Sequence, residues 1–236
     1  MFGQHATCAS NFTRRLKGTK ALMHDSASVA DAAAAAELGF VSGITTNPTL
    51  MARATTQPLP HLESLLTVFP HGPLCYQPTS SSVSETTDEA RAAWSLAPER
   101  VVIKLPATLD AVRVATILAG DGVRCALTAV YSPAQALLAH EVGCVWVIPY
   151  VDRAARLSVG GLVVVDALAA ILAALQSSTR ILAASLKSGP QVVDSILHGA
   201  HDITAPLDVL RGLAAHPLTE SAVREFAQAG SQEAQA

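Results

Sequence analysis

Short apolar runs alternate along the chain with longer amphipathic or alanine-rich segments. The runs are ALMHDSA (21–27), FVSGITTNP (40–48), PLCYQPT (73–79), VVIKLPAT (101–108), RCALTAVY (124–131), CVWVIPYV (144–151), RILAAS (180–185) and HDITAPLD (201–208). VVIKLPAT reads as a strand covered on both faces, as in a parallel sheet. Helix-like pieces lie between the runs: VADAAAAAEL, PHLESLLTVF, SETTDEARAAWSL, DAVRVATILAG, SPAQALLAHEV, VVVDALAAILAALQ and PQVVDSILHG, with LTESAVREFAQA closing the series. Offsets of roughly 20 to 37 residues between runs suit crossover connections, which parallel strands require. Eight such units in 236 residues predict an α/β chain folded as a single (β/α)8 TIM barrel. A doubly wound open sheet is the competing architecture, but it carries a glycine-rich phosphate turn after its first strand, and neither GxGxxG nor a P-loop is present. The expected layout is an N-terminal extension over 1–20, the barrel with a C-terminal helix over 21–228, and a polar tail over 229–236.

Composition narrows the class. Half the residues are hydrophobic, 15% are charged and the formal net charge is −3, which suits a soluble globule and gives nucleic acid no basic surface to bind. No apolar stretch approaches the ~20 residues of a membrane span, so no membrane partner is expected. Cys8, Cys75, Cys125 and Cys144 form no C-x-x-C pair, so neither a zinc site nor a disulfide framework is indicated. Three of them fall in apolar runs and should pack as small hydrophobes, in a reducing compartment such as the cytoplasm. The first 24 residues hold Arg14, Arg15, Lys17 and Lys20 and no acid. That leader reads either as an organelle transit peptide or as a plain N-terminal extension.

The ends of the runs are polar. In order they present Asp25, Thr45 with Asn47, Gln77, Lys104, Thr128, Tyr150 followed by Arg153, Ser185 with Lys187, and Asp208. A barrel of this kind places its active site at the C-terminal ends of the strands, so these residues converge on one mouth. Lys104 shares a strand face with Val102 and Pro106. If that face points inward, burial disfavours the charged amine and leaves a lone pair able to attack a carbonyl. If it does not, the lysine snorkels to solvent or pairs with a carboxylate. Asp25 reads equally as an acid–base group and as an N-cap for the helix starting near Ser28. Asn47-Pro48 by itself is a turn signal.

Six motifs in order, TTNP (45–48), IKLPAT (103–108), LTAVYS (127–132), PYVDR (149–153), LAASLK (182–187) and ITAPLDV (203–209), resemble the transaldolase family, and most of all its small fructose-6-phosphate aldolase branch. The likeness runs from about Met23 to Phe226. It implies a class I aldolase barrel of carbohydrate and pentose phosphate metabolism, using a lysine imine and neither metal nor cofactor. By that resemblance Lys104 forms the imine and Asp25 handles the proton on the C4 hydroxyl. Gln77 and Thr128 position a catalytic water, and Tyr150 helps activate it. Thr45 and Asn47 belong to the TTNP turn; Asn47 and Ser185 hold the dihydroxyacetone hydroxyls. Arg153 and Lys187 bind the phosphate. Transaldolases of the family usually carry a carboxylate in place of Gln77 and a phenylalanine in place of Tyr150, so this pair favours a lyase over a transferase.

The first expectation is therefore an aldolase that interconverts fructose 6-phosphate with dihydroxyacetone and glyceraldehyde 3-phosphate. A transaldolase passing the same three-carbon unit between sugar phosphates comes second, and a non-catalytic sugar-phosphate-binding barrel third. The resemblance also implies a homo-oligomer tied by the C-terminal helix. Several residues depart from the branch pattern: His24 before Asp25, Pro78 after Gln77, Asp152 beside Arg153, and Gly189-Pro190 after Lys187. Pro78 would withdraw a ladder donor near Gln77, and Asp152 would compete for the phosphate cations.

Overall fold

A computed structural model describes residues 21–233. The N-terminal extension, with Cys8 and its basic residues, lies outside the described residues. Eight parallel strands close into a barrel in chain order: β1 (Leu22–Asp25), β2 (Val41–Thr45), β3 (Leu74–Tyr76), β4 (Val101–Pro106), β5 (Cys125–Val130), β6 (Trp146–Pro149), β7 (Arg180–Ala183) and β8 (Asp202–Ala205). Each expected run contains one of them, and β8 pairs back onto β1. The closed (β/α)8 architecture holds, and the open doubly wound alternative falls because no sheet edge remains.

Period-two alternation divides the core. Val101, Ile103 and Leu105 of β4 pack outward with the helices, in the large cluster between sheet and helix layer. Val102 points the other way, into a cluster drawn from strand residues: Met23, Cys75, Val102, Ala126, Trp146, Ile148, Leu182 and Ala184. That second cluster fills the barrel interior. Lys104 has the parity of Val102 and so faces inward. Cys75, Cys125 and Cys144 are all buried, and burial pushes the Cys75 and Cys144 thiols up to about 12 and the Cys125 thiol up further. They are packing groups, not nucleophiles.

Asp202, on β8 at the end away from the expected site, is fully buried. It accepts from Trp146 Nε1 (2.9 Å), from the Ala21 amide (2.9 Å) and from Arg180 (2.7 and 2.8 Å). A charge taken out of water needs such a full set of donors.

Several helices begin at side-chain caps. Ser28 caps α1 (Val29–Glu37), Asn47 caps α2 (Pro48–Ala54), and α3 (Pro58–Val68) follows. Ser82 and Glu85 form a reciprocal capping box at α4 (Val83–Ser95), and Thr108 caps α5 (Leu109–Gly120). Then come α6 (Gln135–Glu141), α7 (Val151–Arg156), α8 (Gly161–Ala174), α9 (Gly189–Leu197) capped by Ser188, α10 (Leu207–Gly212) and α11 (Pro217–Glu233). The short helices α2, α7 and α10 have no counterpart in the pattern of apolar runs. All three follow directly on strand ends. The last, α11, runs past residue 229, where the polar tail was expected to begin.

Candidate active site

At the C-terminal mouth of the barrel a cavity of about 1110 Å³ is lined by Asp25, Asn47, Gln77, Lys104, Tyr150, Arg153, Ser185, Lys187 and Asp208, all anticipated from strand ends, and also by His24, Asp31, Ala129, Arg156 and Arg211. Thr45 and Thr128 do not line it. They are buried and act on residues that do.

Lys104 is 3% exposed, and its Nζ donates to the Thr46 carbonyl at 2.8 Å. Thr46 is itself pinned: its amide and its hydroxyl both donate to Cys75 O, at 3.0 and 2.8 Å. Among the described residues no carboxylate forms an ion pair with Lys104, which sits between the apolar interior cluster of Val102 and the polar mouth cavity. The snorkelling reading of Lys104 is excluded by this placement.

Asp25 ends β1. The cap of α1 is Ser28, whose Oγ accepts the Asp31 amide at 3.1 Å, so Asp25 is not an N-cap and its carboxylate is left to the cavity. Thr45 Oγ1 donates to Asp25 Oδ1 at 2.8 Å and lies 2.7 Å from Thr204 Oγ1. Since Thr45 has one hydroxyl proton, the chain runs Thr204 to Thr45 to Asp25. It orients the carboxylate from behind. Thr45 is thus a support for Asp25 in this structure, not a contact surface of the cavity, and Thr204 is a member of the site that the sequence reading missed.

Asn47 combines its two readings. Its Oδ1 accepts the Leu50 amide at 3.0 Å as the N-cap of α2, with Pro48 in the first turn, and the residue also borders the cavity. Across the barrel, Thr128 Oγ1 donates to Tyr150 Oη at 3.3 Å, and the Tyr150 ring stands edge-on to Tyr131, centroids 6.0 Å apart. A register shift between Thr128 and Val130 leaves Ala129 at φ 55°. Ser185 has φ 63°. Two non-glycine residues in the left-handed region at one mouth are costly conformations of the kind found where a site dictates the backbone. Tyr150 is fixed by its bridge to Ala184, and the Val151 amide donates to Ala184 O at 3.0 Å.

Gln77 follows the end of β3. Its Oε1 is buried and has no hydrogen-bond partner among the described residues. Pro78 lies beyond the ladder, so it withdraws no strand hydrogen bond; β3 has already ended at Tyr76.

The cations cluster on the β6–β8 side. Arg153 and Arg156 occupy successive turns of α7, Lys187 follows β7, and Arg211 stands on α10. Asp152 does not engage Arg153. Its Oδ2 accepts from Arg156 Nε at 2.8 Å and its Oδ1 from Gln191 Nε2 at 3.2 Å, while Gln191 Oε1 accepts the Lys187 amide at 2.7 Å. The Arg156 hydrogen bond holds the Asp152 carboxyl below its usual range. Asp152 therefore ties the α7 arm to the Lys187 loop instead of screening Arg153. Gly189 and Pro190 do not distort that loop; they open α9.

His24 alternates with Asp25 and faces the helix side of β1. It is 1% exposed, its Nδ1 lies 3.4 Å from Ala205 O, and its Nε2 has no partner among the described residues. Burial lowers its pKa, so the ring is neutral at pH 7. Among the described residues no three His, Cys, Asp or Glu side chains are grouped as a metal would require, and no helix is long and apolar enough to cross a membrane.

Comparison with known proteins gives the family. The family model described as Transaldolase/Fructose-6-phosphate aldolase matches residues 22–236. A probable transaldolase of Symbiobacterium thermophilum is 35% identical over 205 residues, which is 87% of this chain and 94% of the relative. One from Prosthecochloris aestuarii is 32% identical over 215 residues, 88% and 96% respectively. A probable transaldolase of Bacillus cereus is 31% identical over 202 residues, 86% and 93%.

Proposed function

The chain belongs to the transaldolase/fructose-6-phosphate aldolase family, and from that premise we propose that it moves a dihydroxyacetone unit through an imine on Lys104, handing it from a ketose phosphate to an aldose phosphate as a transaldolase. The observation that carries this is the buried Lys104 amine at the floor of the cavity, with the Asp25 carboxylate bordering the same space. Lys104 attacks the C2 ketone, and loss of water leaves an iminium. Asp25 takes the proton from the C4 hydroxyl, the C3–C4 bond breaks, and its electrons flow to the iminium nitrogen, releasing an aldose phosphate and leaving an enamine. In transfer, the enamine C3 bonds to the carbonyl carbon of an acceptor aldehyde and Asp25 returns the proton. Water then hydrolyses the iminium and frees Lys104.

Arg153 and Lys187 bind the phosphate in this reading, one as a bidentate guanidinium and one as a point charge. Asn47 and Ser185 hold the hydroxyls of the three-carbon unit. The names of the relatives favour transfer over simple cleavage, in contrast to the lyase first expected from the sequence.

One observation keeps a second reading, the aldolase. Tyr150 Oη accepts from Thr128 at 3.3 Å in a cavity that Gln77 also borders. Together they can hold a water whose proton goes to the enamine C3, so that the hydroxide left behind completes hydrolysis and dihydroxyacetone is released. Product analysis separates the two. Transaldolase activity predicts little free dihydroxyacetone from fructose 6-phosphate alone and rapid turnover once erythrose 4-phosphate is added. Equal turnover with and without the acceptor, with stoichiometric dihydroxyacetone, supports the aldolase. Absence of turnover in both contradicts the proposal.

Assembly is also proposed. Leu218, Val223 and Phe226 of α11 are exposed by 73%, 59% and 73%, a face suited to packing against a second copy.

A further inference from the structure

The buried, partnerless Gln77 Oε1 lies in a segment held from outside the cavity by one carboxylate. Glu89, on α4, accepts from four donors. Tyr76 Oη reaches Oε1 at 2.6 Å; the Thr79 amide reaches both oxygens at 3.2 and 3.0 Å; the Ser80 amide and hydroxyl reach Oε2 at 3.0 and 2.7 Å. These donors bracket Gln77 on both sides in the chain. Pro78, buried between them, fixes its own φ and restricts Gln77 as the preceding residue. The far end of the segment is tied again by Thr86 Oγ1, which donates to Ser80 O at 3.1 Å.

A buried carbonyl oxygen without a donor is unfavourable. The hydrogen bonds that Glu89 accepts from Tyr76, Thr79 and Ser80 fix the chain on both sides of Gln77, which borders the cavity. Burial pushes the Glu89 carboxyl up, but hydrogen bonds from Tyr76 and Ser80 outweigh it and hold the group below its usual range, so the clamp is anionic at neutral pH.

We propose that Glu89 is a positioning residue: by clamping the segment after β3 it keeps Gln77 at the cavity wall, and so sets how the enamine on Lys104 is divided between protonation from water and capture by an aldehyde. The inference rests on the imine reading given above and adds a residue that touches neither substrate nor the reacting atoms. Protonation forms a C–H bond at C3 with a proton from water; the hydroxide produced adds to C2 of the iminium, and collapse of the carbinolamine breaks C2–N and returns the amine.

The test measures, for each variant, the ratio of free dihydroxyacetone to transfer product at fixed acceptor concentration, beside the yield of three-carbon adduct trapped on Lys104 by borohydride. Glu89→Gln places amide protons against the donors of Tyr76, Thr79 and Ser80. It should lower the ratio several-fold at wild-type adduct yield. In a Gln77→Ala background the same substitution should change the ratio no further, whereas a merely structural role would shift both backgrounds alike. The Tyr76→Phe/Ser80→Ala double variant removes two donors and leaves the carboxylate in place. It should shift the ratio the same way, and decides the matter if Glu89→Gln does not fold. A wild-type ratio in the folded variants, or an undiminished shift in the Gln77→Ala background, overturns the role of Glu89. Absence of any adduct in the wild type overturns the imine reading instead.

Discussion

At the scale of single residues the site is a set of polar groups supported from behind by buried ones. Asp25→Asn keeps the hydrogen bond from Thr45 but removes the base. Turnover should fall by about 10²–10⁴-fold, the range for lost acid–base catalysis, in a coupled assay, while borohydride still traps substrate on Lys104. Tyr150→Phe removes the acceptor of the Thr128 hydroxyl and should shift products from free dihydroxyacetone toward transfer; an unchanged ratio would show that Tyr150 does not govern the partition. His24 gives a pH signature. Burial places its folded pKa below the unfolded value near 6.5, so at lower pH the unfolded chain binds more protons and stability falls. Denaturant titrations should show the wild type losing more stability than His24→Leu as pH drops from 7.5 through 6.5 and below, with parallel behaviour above. Much of this was legible in the sequence, because a polar residue closing an apolar strand has one place to go in a barrel, and Asp25, Gln77, Lys104 and Tyr150 all went there. Thr204 was not legible, since a threonine inside a strand is an ordinary β-former until a neighbour's hydroxyl is seen 2.7 Å away. Thr45 and Thr128 were found but misplaced: parity puts them inward, yet only the packed structure shows them behind the carboxylate and the phenol.

At the scale of elements the short helices decide which cations meet. Six residues of α7 are too few for a readable amphipathic period, so Arg153 was foreseen through its motif and Arg156, one turn on, was not. Their placement depends on a glycine. A Cβ built on Gly161, at the start of α8, would meet the Val151 carbonyl oxygen at 2.1 Å and its Cα at 2.9 Å. Backbone cannot yield as a side-chain tip can. Gly161→Ala should therefore displace α7, lower stability by roughly 1–3 kcal/mol, and raise KM for phosphorylated ketoses more than for dihydroxyacetone, as read from initial rates. A variant with unchanged KM would show that α7 does not place the phosphate arm.

At the scale of the whole molecule, closure of the barrel follows from the eight runs separated by crossover-length segments, and the ring of polar strand ends follows from closure. What spacing could not supply is the plug at the opposite end. Asp202 and Trp146 sit in runs that read as plain strands, and their pairing joins positions 56 apart in the chain. Asp202→Ala leaves the partly buried Arg180 guanidinium without its carboxylate and should cost about 3–5 kcal/mol in equilibrium unfolding, while the imine chemistry of the folded fraction persists. The exposed face of α11 bears on assembly: sedimentation should find a multimer in the wild type and smaller species in Phe226→Asp.

The central claim is that Lys104 is the covalent reagent, and trapping reads it directly. Wild type and Lys104→Met are each mixed with dihydroxyacetone and borohydride, digested, and mapped by peptide mass. A three-carbon adduct on the Lys104 peptide of the wild type, and none on the folded variant, is the predicted result. An adduct confined to another lysine, or none in either protein, would contradict it.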